Sequence, residues 1–362
     1  MKKEIIDSLT GIRGIAAIYV VIYHLFHNSY NINFINNGYL SVDLFFILSG
    51  FIITHAHRND FINTTNIRNY MKFILSRIIR IWPAYVCWVF FNVGLLLFKG
   101  QQPQLSTFIS NILMIQNLGL SPSIIGTGWS LSVEFFAYFF FPFMCILAMK
   151  KEKIHSVVLL CISILLISAI SIVKVRLIAG SQIKFSGPLD IMSFDGAGAL
   201  IRGLCEFCMG IVSYRIYLTI KENTSKNLTT WTYVACIIIF TCLSLKGMDV
   251  LFSICIFLLL PLLAIGKNPI TAFLSSQTSI FLGKISFSLY LCHIPLVYAI
   301  NSRVENLTRH FISNPILSSL FSGLISIAAC IIVAWVSYEV CEKRLRLKIN
   351  KLMVRSQSKA TF

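Results

Sequence analysis

Long apolar runs separated by short polar segments are the main pattern along this chain. Runs of roughly 17 to 25 apolar residues are typical of helices that cross a membrane. The candidate spans lie at residues 9–27, 39–56, 80–98, 130–149, 155–174, 197–217, 231–246, 249–266, 279–300 and 316–339. Only a short segment around Lys246 separates the seventh span from the eighth. The pattern predicts an all-α integral membrane protein with about ten transmembrane helices.

Composition supports this class and excludes others. The 362 residues are 56% hydrophobic and 12% charged, whereas soluble domains carry about 25% charged residues. A net charge of +17 could indicate nucleic-acid binding, but that interpretation needs a basic patch on a groove or stacking platform. Here the basic residues lie in short segments between apolar runs, where the positive-inside rule places them.

The same charge rule predicts the orientation of the chain. Basic residues concentrate in segments 57–79, 150–154, 218–230 and 267–278 and in the tail from Lys343 onward. Ten spans with both termini cytoplasmic put all of these segments on the inner side. We therefore expect a transmembrane domain over residues 1–342 and a basic cytoplasmic tail over residues 343–362.

Several ionisable residues interrupt the apolar runs. An ionisable group in hydrocarbon is costly and is usually paired or functional. At about 1.5 Å per residue, His24 lies roughly 22 Å beyond Leu9, and Asp43 lies about 6 Å from the opposite face, so the two share a depth. Glu134 and His293 fall in the same outer half. This predicts an imidazole–carboxylate pair in a polar chamber; the alternative is unrelated polar residues at helix contacts.

The inner half carries an arginine cluster. Arg77 and Arg80 are three residues apart and share a helical face near Pro83, which we expect to kink the entry to the third span. Guanidinium groups bind phosphate oxygens through paired hydrogen bonds. With Arg13 on the same side, the cluster predicts a phosphate-bearing cytosolic ligand; arginines that only anchor a helix to lipid headgroups are the alternative.

Two cysteines have a spacing that redox and zinc sites also use. Cys205 and Cys208 form a CxxC pair, but no second pair or flanking histidine accompanies them. The pair is therefore interpreted as small buried apolar residues. No metal site is predicted.

Six motifs in order resemble the membrane acyltransferase-3 family, whose members O-acylate carbohydrates and some lipids and small molecules. They are LTGIRGIAAIYVVIYHL, VDLFFILSGFIIT, RIIRIWPAY, GWSLSVEFFAYFFFP, ISFSLYLCHIP and EKRLR. The chain departs from the family pattern at the opening, where Asp7 lies further from Arg13-Gly14 than is usual. It departs again at Glu342-Lys343, which lacks the common following proline. We expect a member without an appended extracytoplasmic hydrolase-like domain.

The resemblance implies an acyl-CoA donor on the cytoplasmic side, usually acetyl-CoA, and a glycan acceptor at or beyond the outer face. A positioned general base accelerates attack by a sugar hydroxyl by about 100- to 10,000-fold. We assign His24 as this base, Asp43 as its orienting carboxylate and Glu134 as a second acid/base. The expected donor-binding residues are Arg13, Arg77 and Arg80. The expected acceptor-binding residues are Trp129, Ser130, Tyr290 and His293.

The expected protein is thus an O-acetyltransferase of the bacterial cytoplasmic membrane. Its acceptor would be a surface polysaccharide, such as lipopolysaccharide O-antigen, capsule or exopolysaccharide, or a lipid-linked precursor. Acetyl-CoA would be a co-substrate, with no permanently bound cofactor. One alternative is the same chemistry on a small molecule or lipid. Another is a transporter or flippase, for which inverted repeats or paired broken helices are expected; the sequence shows neither.

Overall fold

The computed structural model describes residues 5–27, 29–62, 66–178, 186–190, 197–222 and 228–349, without the side chains of residues 174–178. The Met-Lys-Lys start of the chain lies outside the described residues. So do positions 350–362 of the basic tail, including Lys351, Arg355 and Lys359. The predictions that concern these segments stay predictions.

The described residues form helices and turns, with no strand among them. The α-helices are α1 (Asp7–Phe26), α2 (Asn33–Asn36), α3 (Ser41–Ile62), α4 (Ile67–Phe98), α5 (Leu105–Ile112), α6 (Gly128–Ala148), α7 (Ile154–Ile178), α8 (Ala197–Glu222), α9 (Leu228–Ser244), α10 (Asp249–Ile265), α11 (Pro269–Leu274), α12 (Gln277–Phe311) and α13 (Pro315–Ser337). A π-helix, Tyr338–Arg344, continues α13.

The structure confirms the predicted all-α membrane class. Eight helices among the described residues are long and apolar enough to cross a membrane. The seventh and eighth predicted spans correspond to α9 and α10, which are apolar but have only 17 residues each. Every predicted span thus falls on a helix. The largest difference is α4, which begins at Ile67 and continues through Pro83.

Close contacts through glycine hold the bundle together at two places. A Cβ atom on Gly14 of α1 would lie 2.5 Å from the backbone nitrogen of Gly283 on α12. A Cβ atom on Gly50 of α3 would lie 2.0 Å from the carbonyl oxygen of Phe207 on α8. Small residues let membrane helices approach this closely. The first contact brings the His24 helix to the His293 helix, and the second brings the Asp43 helix to α8.

The outer surface of the bundle is apolar. Leu165 of α7 and Leu324 of α13 are 68% and 65% exposed. Exposed apolar surface of this extent suits hydrocarbon rather than water. These apolar faces are therefore the ones expected to contact lipid.

Candidate functional site

A narrow cavity of about 110 Å³ lies inside the bundle between α1, α3, α4, α6, α12 and the π-helix. Five charged side chains line it: Arg13, Arg80, Lys284, Glu134 and Glu342. Lys284 is exposed, so it lies where the cavity opens. An interior cavity with several converging charged groups is the usual form of a ligand or active site.

Two half-buried arginines line this cavity, and neither has an ion-paired partner among the described residues. Arg13 and Arg80 donate no hydrogen bond to any residue that the structure describes. Each guanidinium has five N–H donors, and a buried donor without an acceptor is costly. The pair therefore suits an anionic ligand that supplies the missing acceptors. The structure thus places Arg13 and Arg80 together, as the sequence predicts.

Both carboxylates of the cavity are held by hydroxyl groups. Glu134 accepts hydrogen bonds from Ser49 Oγ at 2.8 Å and Tyr138 OH at 2.7 Å. Glu342 accepts one from Ser288 Oγ at 2.6 Å. These bonds fix the two acids opposite the arginines.

The position of Glu134 corrects the expectation that it shares a chamber with His24. It lines the arginine cavity instead. Its hydrogen-bond partner Ser49 is six residues beyond Asp43 on α3, which is about 9 Å deeper along the helix. Glu134 thus lies nearer to the arginines than the sequence predicts.

Ser130 and Tyr290 form the far end of the cavity. Their hydroxyl oxygens are 2.7 Å apart. Ser130 Oγ donates to the carbonyl oxygen of Thr127 at 3.0 Å, so the shared hydrogen comes from Tyr290 OH. The carbonyl oxygen of Tyr290 lies 2.9 Å from His293 Nδ1. The end of the cavity is therefore one helical turn from a histidine.

That histidine forms a pair with His24. His293 Nε2 lies 3.3 Å from His24 Nδ1, and the ring centroids are 4.9 Å apart. His293 is fully buried. The short α1–α12 contact at Gly14 and Gly283 makes the pairing possible, because it removes the side chains that would separate the helices.

The surrounding acceptors fix the tautomers of this pair. His293 Nδ1 faces the carbonyl oxygens of Leu289 and Tyr290, at 3.1 and 2.9 Å, so it carries a hydrogen. Its Nε2 then accepts from His24 Nδ1–H, which also faces the Val20 carbonyl at 2.9 Å. The assignment rests on hydrogen-bond partners. It leaves His24 Nε2 as an unprotonated nitrogen without a partner among the described residues.

Asp43 does not orient His24, so this part of the prediction is wrong. Its Oδ1 accepts from Arg202 Nε at 3.0 Å, and its Oδ2 contacts Arg202 Nη2. Glu206 Oε1 lies 3.7 Å from the same Nε. A guanidinium buried in a membrane domain needs a carboxylate, and the planar fork binds one through two bonds. The equal depth of His24 and Asp43 does not show which way each side chain points around its helix. Arg202 faces Asp43 across the close α3–α8 contact.

Two further site assignments also need correction. Trp129 is 6% exposed and packs against Phe46 and the Arg202 guanidinium, so no face is free for a sugar. Arg77 Nη2 lies 3.1 Å from His57 Nε2, and Arg77 does not line the cavity. The three-residue spacing turns its side chain about 60° away from that of Arg80, toward the end of α3.

Three site features were missed in the sequence. Lys284 directly precedes the ISFSLYLCHIP motif, so motif context could have identified it. Arg202 precedes the CxxC pair and Glu206 lies between its two cysteines, so both could have been noticed as charges within an apolar run. Cys205 and Cys208 are buried and unbridged, as the sequence predicts.

Fold and site together define a polytopic α-helical membrane protein with an internal arginine-lined cavity that ends beside a buried histidine pair. The profile of the acyltransferase-domain family, acyltransferase type 3, matches residues 6–335. The chain belongs to this acyltransferase family, as its motifs indicate.

Curated relatives are distant but cover almost the whole chain. The O-acetyltransferase OatA of Staphylococcus aureus (strain NCTC 8325 / PS 47) is 23% identical over 380 aligned positions, which cover 95% of this chain and 57% of that protein. The peptidoglycan O-acetyltransferase OatA of Listeria monocytogenes serovar 1/2a is 22% identical over 369 positions, covering 95% of this chain and 56% of that protein. The chain thus spans little more than half the length of these relatives. No solved structure matches it.

Proposed function

We propose that this protein is an O-acetyltransferase that moves an acetyl group from acetyl-CoA to a hydroxyl group of a bacterial envelope glycan. One observation carries the proposal. The cavity holds two arginines that donate no hydrogen bond to a described residue, and Tyr290 at its far end lies one turn of α12 before His293, which pairs with His24. An anion-binding cluster and a candidate general base would thus lie at neighbouring levels of the bundle.

Acetyl-CoA would enter from the arginine end. Arg13 and Arg80 would bind its phosphates, because guanidinium forks match phosphate oxygens, and Lys284 would add a charge at the opening. The cavity of about 110 Å³ is too narrow for the nucleotide. We therefore assign the nucleotide to the opening and the thioester end to the interior, directed toward Ser130 and Tyr290.

The acceptor hydroxyl would approach His24 from the opposite end. His24 Nε2 would take the hydroxyl proton while the oxygen attacks the acetyl carbonyl carbon. The C–S bond then breaks, coenzyme A leaves as a thiolate, and the proton on His24 passes to the thiolate or to water. His293 would hold His24 in the reactive tautomer and share the imidazolium charge, which is the role that the sequence assigned to Asp43.

The acceptor is proposed as a class. The sequence suggests O-antigen, capsule, exopolysaccharide or a lipid-linked precursor, while the Listeria relative is named for peptidoglycan; all are glycans outside the cytoplasmic membrane. Loop charges favour a cytoplasmic location for the end of the bundle where α1 begins. We place residues 1–342 in the membrane acyltransferase domain and residues 343–362 in a basic cytoplasmic tail.

Comparison of glycans from cells with and without the gene tests this function. NMR of each purified envelope glycan should show an O-acetyl signal that disappears on deletion and returns with the wild-type gene. The gene encoding His24→Ala should not restore it. Unchanged acetylation of every envelope glycan in the deletion strain would contradict the proposal.

A further inference from the structure

An apolar groove lies on the membrane side of the bundle, apart from the proposed active site. Its volume of about 550 Å³ is within the roughly 300–1,000 Å³ range of small-molecule sites. The groove is bounded by α1, α2, α3, α9, α10, α11 and α12. Almost all of its surface is apolar. Representative lining residues are Ile15, Ile22, Cys236, Phe240, Leu259 and Leu282.

A polar pocket adjoins this groove where α1 begins. Asp7, Lys221, Lys267 and Asn268 line the pocket, and Leu263 lines both spaces. The short helix α11 separates them. Its Ile270 and Leu274 face the groove, whereas Thr271 and Ser275 face the polar pocket. The two spaces therefore form one amphipathic surface, apolar toward the membrane centre and polar toward its edge.

Among the described residues, the charged side chains that line the polar pocket are Asp7, Lys221 and Lys267. Lys267 is exposed and donates no hydrogen bond to a described residue. Lys221 donates to Tyr217 OH at 3.2 Å. The side-chain nitrogen of Asn268 is buried without a hydrogen-bond partner among the described residues. The Lys267 ammonium group and the Asn268 amide nitrogen therefore offer unfilled donors to an anion.

We propose that the groove and pocket together bind one anionic phospholipid. Its hydrocarbon chain lies in the groove, and its phosphate headgroup contacts Lys267 and the Asn268 amide. Basic residues at the membrane edge attract anionic lipid headgroups. In a membrane the groove is always surrounded by lipid chains, so the cationic pocket supplies the selectivity.

The geometry favours a phospholipid over a lipid-linked glycan acceptor. His24 is two residues beyond Ile22, which places their side chains about 200° apart around α1. A chain in the groove is therefore on the opposite side of α1 from the proposed base. The charged pocket also lies at the end of α1 distant from His24. A glycan attached to a lipid bound here would not reach the histidine pair.

Lipid retention by the full-length protein tests the proposal. The protein is reconstituted with equal amounts of phosphatidylglycerol and phosphatidylcholine, transferred to detergent, and analysed by native mass spectrometry. Wild type should retain one phosphatidylglycerol in preference to phosphatidylcholine. Cys236→Trp, which fills the groove, and Lys267→Glu, which reverses the pocket charge, should each reduce this retention at least about fivefold.

Matched variants control for general effects. Val234→Trp lies on the same helix, is exposed and does not line the groove; Lys153→Glu changes an exposed lysine outside the pocket. Both should retain lipid as wild type does. Equal retention of the two lipids, wild-type retention by Cys236→Trp or Lys267→Glu, or equal loss in the controls would overturn the proposal. Native protein that copurifies with a polyprenyl phosphate in place of phospholipid would also overturn it.

Discussion

At the scale of single residues, the arrangement of His24 and His293 distinguishes this site from one built on a carboxylate. Two neutral imidazoles in series fix a tautomer through the carbonyl oxygens of Leu289 and Tyr290. A neutral partner stabilises an imidazolium less than a carboxylate does. In the proposed mechanism, His293 would therefore orient the base without placing another full charge in the membrane interior.

Arg80 and Arg77 should differ in how much they contribute to acetyl-CoA binding. Arg80→Ala should weaken acetyl-CoA binding by about 10- to 100-fold, since a hydrogen bond to a charged group contributes about 1.5–3 kcal/mol. Arg80→Lys should restore only part of this affinity because the guanidinium fork is lost. Arg77→Ala should change the affinity little, since Arg77 contacts His57. Isothermal titration with acetyl-CoA measures all three.

Arg68→Ala, on the exposed start of α4, serves as the control for loss of positive charge. If Arg77→Ala weakens acetyl-CoA binding as much as Arg80→Ala does, the assignment of the donor to this cavity is wrong.

Asp43 should matter for stability through Arg202. Asp43→Ala removes the carboxylate that forms two hydrogen bonds with the buried Arg202 guanidinium, and breaking a buried pair typically costs about 3–5 kcal/mol. Combining Asp43→Leu with Arg202→Met and Glu206→Met should recover part of this loss, because all three charges of the cluster are then removed together. Thermal unfolding in detergent measures the effect. A triple variant no more stable than Asp43→Ala would argue against the ion pair as the cause.

At the scale of helices, the contact between α1 and α12 sets the distance between the histidines. Gly283→Leu should push α12 away from Thr10, whose carbonyl oxygen would lie 2.0 Å from a new Cβ. We expect acetyl transfer to fall at least about tenfold, together with reduced thermal stability. Gly94→Ala, at a glycine with open space around it, should leave both unchanged. Wild-type transfer in Gly283→Leu would show that the histidine pair does not need this contact.

Helix positions could be predicted from the sequence far better than side-chain partners. The thickness of the hydrocarbon core sets the length of a membrane-spanning apolar run, so such runs mark the positions of the helices. Helices α1 and α6 accordingly begin within two residues of the predicted spans. Periodicity gives a depth but no direction around the bundle axis. Asp43 and His24 could therefore be placed at one level, whereas the choice of Arg202 over His24 depends on which helices are neighbours. For the same reason, the sequence did not predict that Glu134 lines the arginine cavity or that Trp129 packs against Arg202.

At the scale of the whole molecule, the charge distribution defines two ends. Lys221 and Lys267 lie at the end where α1 begins, and the loop after α4 lies at the other. A reporter active only outside the cytoplasm should work when fused after Gln101 and fail after Glu152. The reverse result would invert the bundle and assign the arginine cavity to the wrong side of the membrane.

The central claim is that the cavity delivers acetyl from acetyl-CoA to an acceptor hydroxyl at His24. Purified protein in vesicles is supplied with ¹³C-acetyl-CoA and the glycan identified in cells, and ¹³C-acetyl esters on the glycan are measured by NMR. Wild type and His27→Ala, a control three residues from the proposed base, should form the ester, while His24→Ala should not. Arg80→Ala should form the ester only when acetyl-CoA is raised by about 10- to 100-fold, in line with its weaker donor binding. Ester formation by His24→Ala at the wild-type rate would contradict the account.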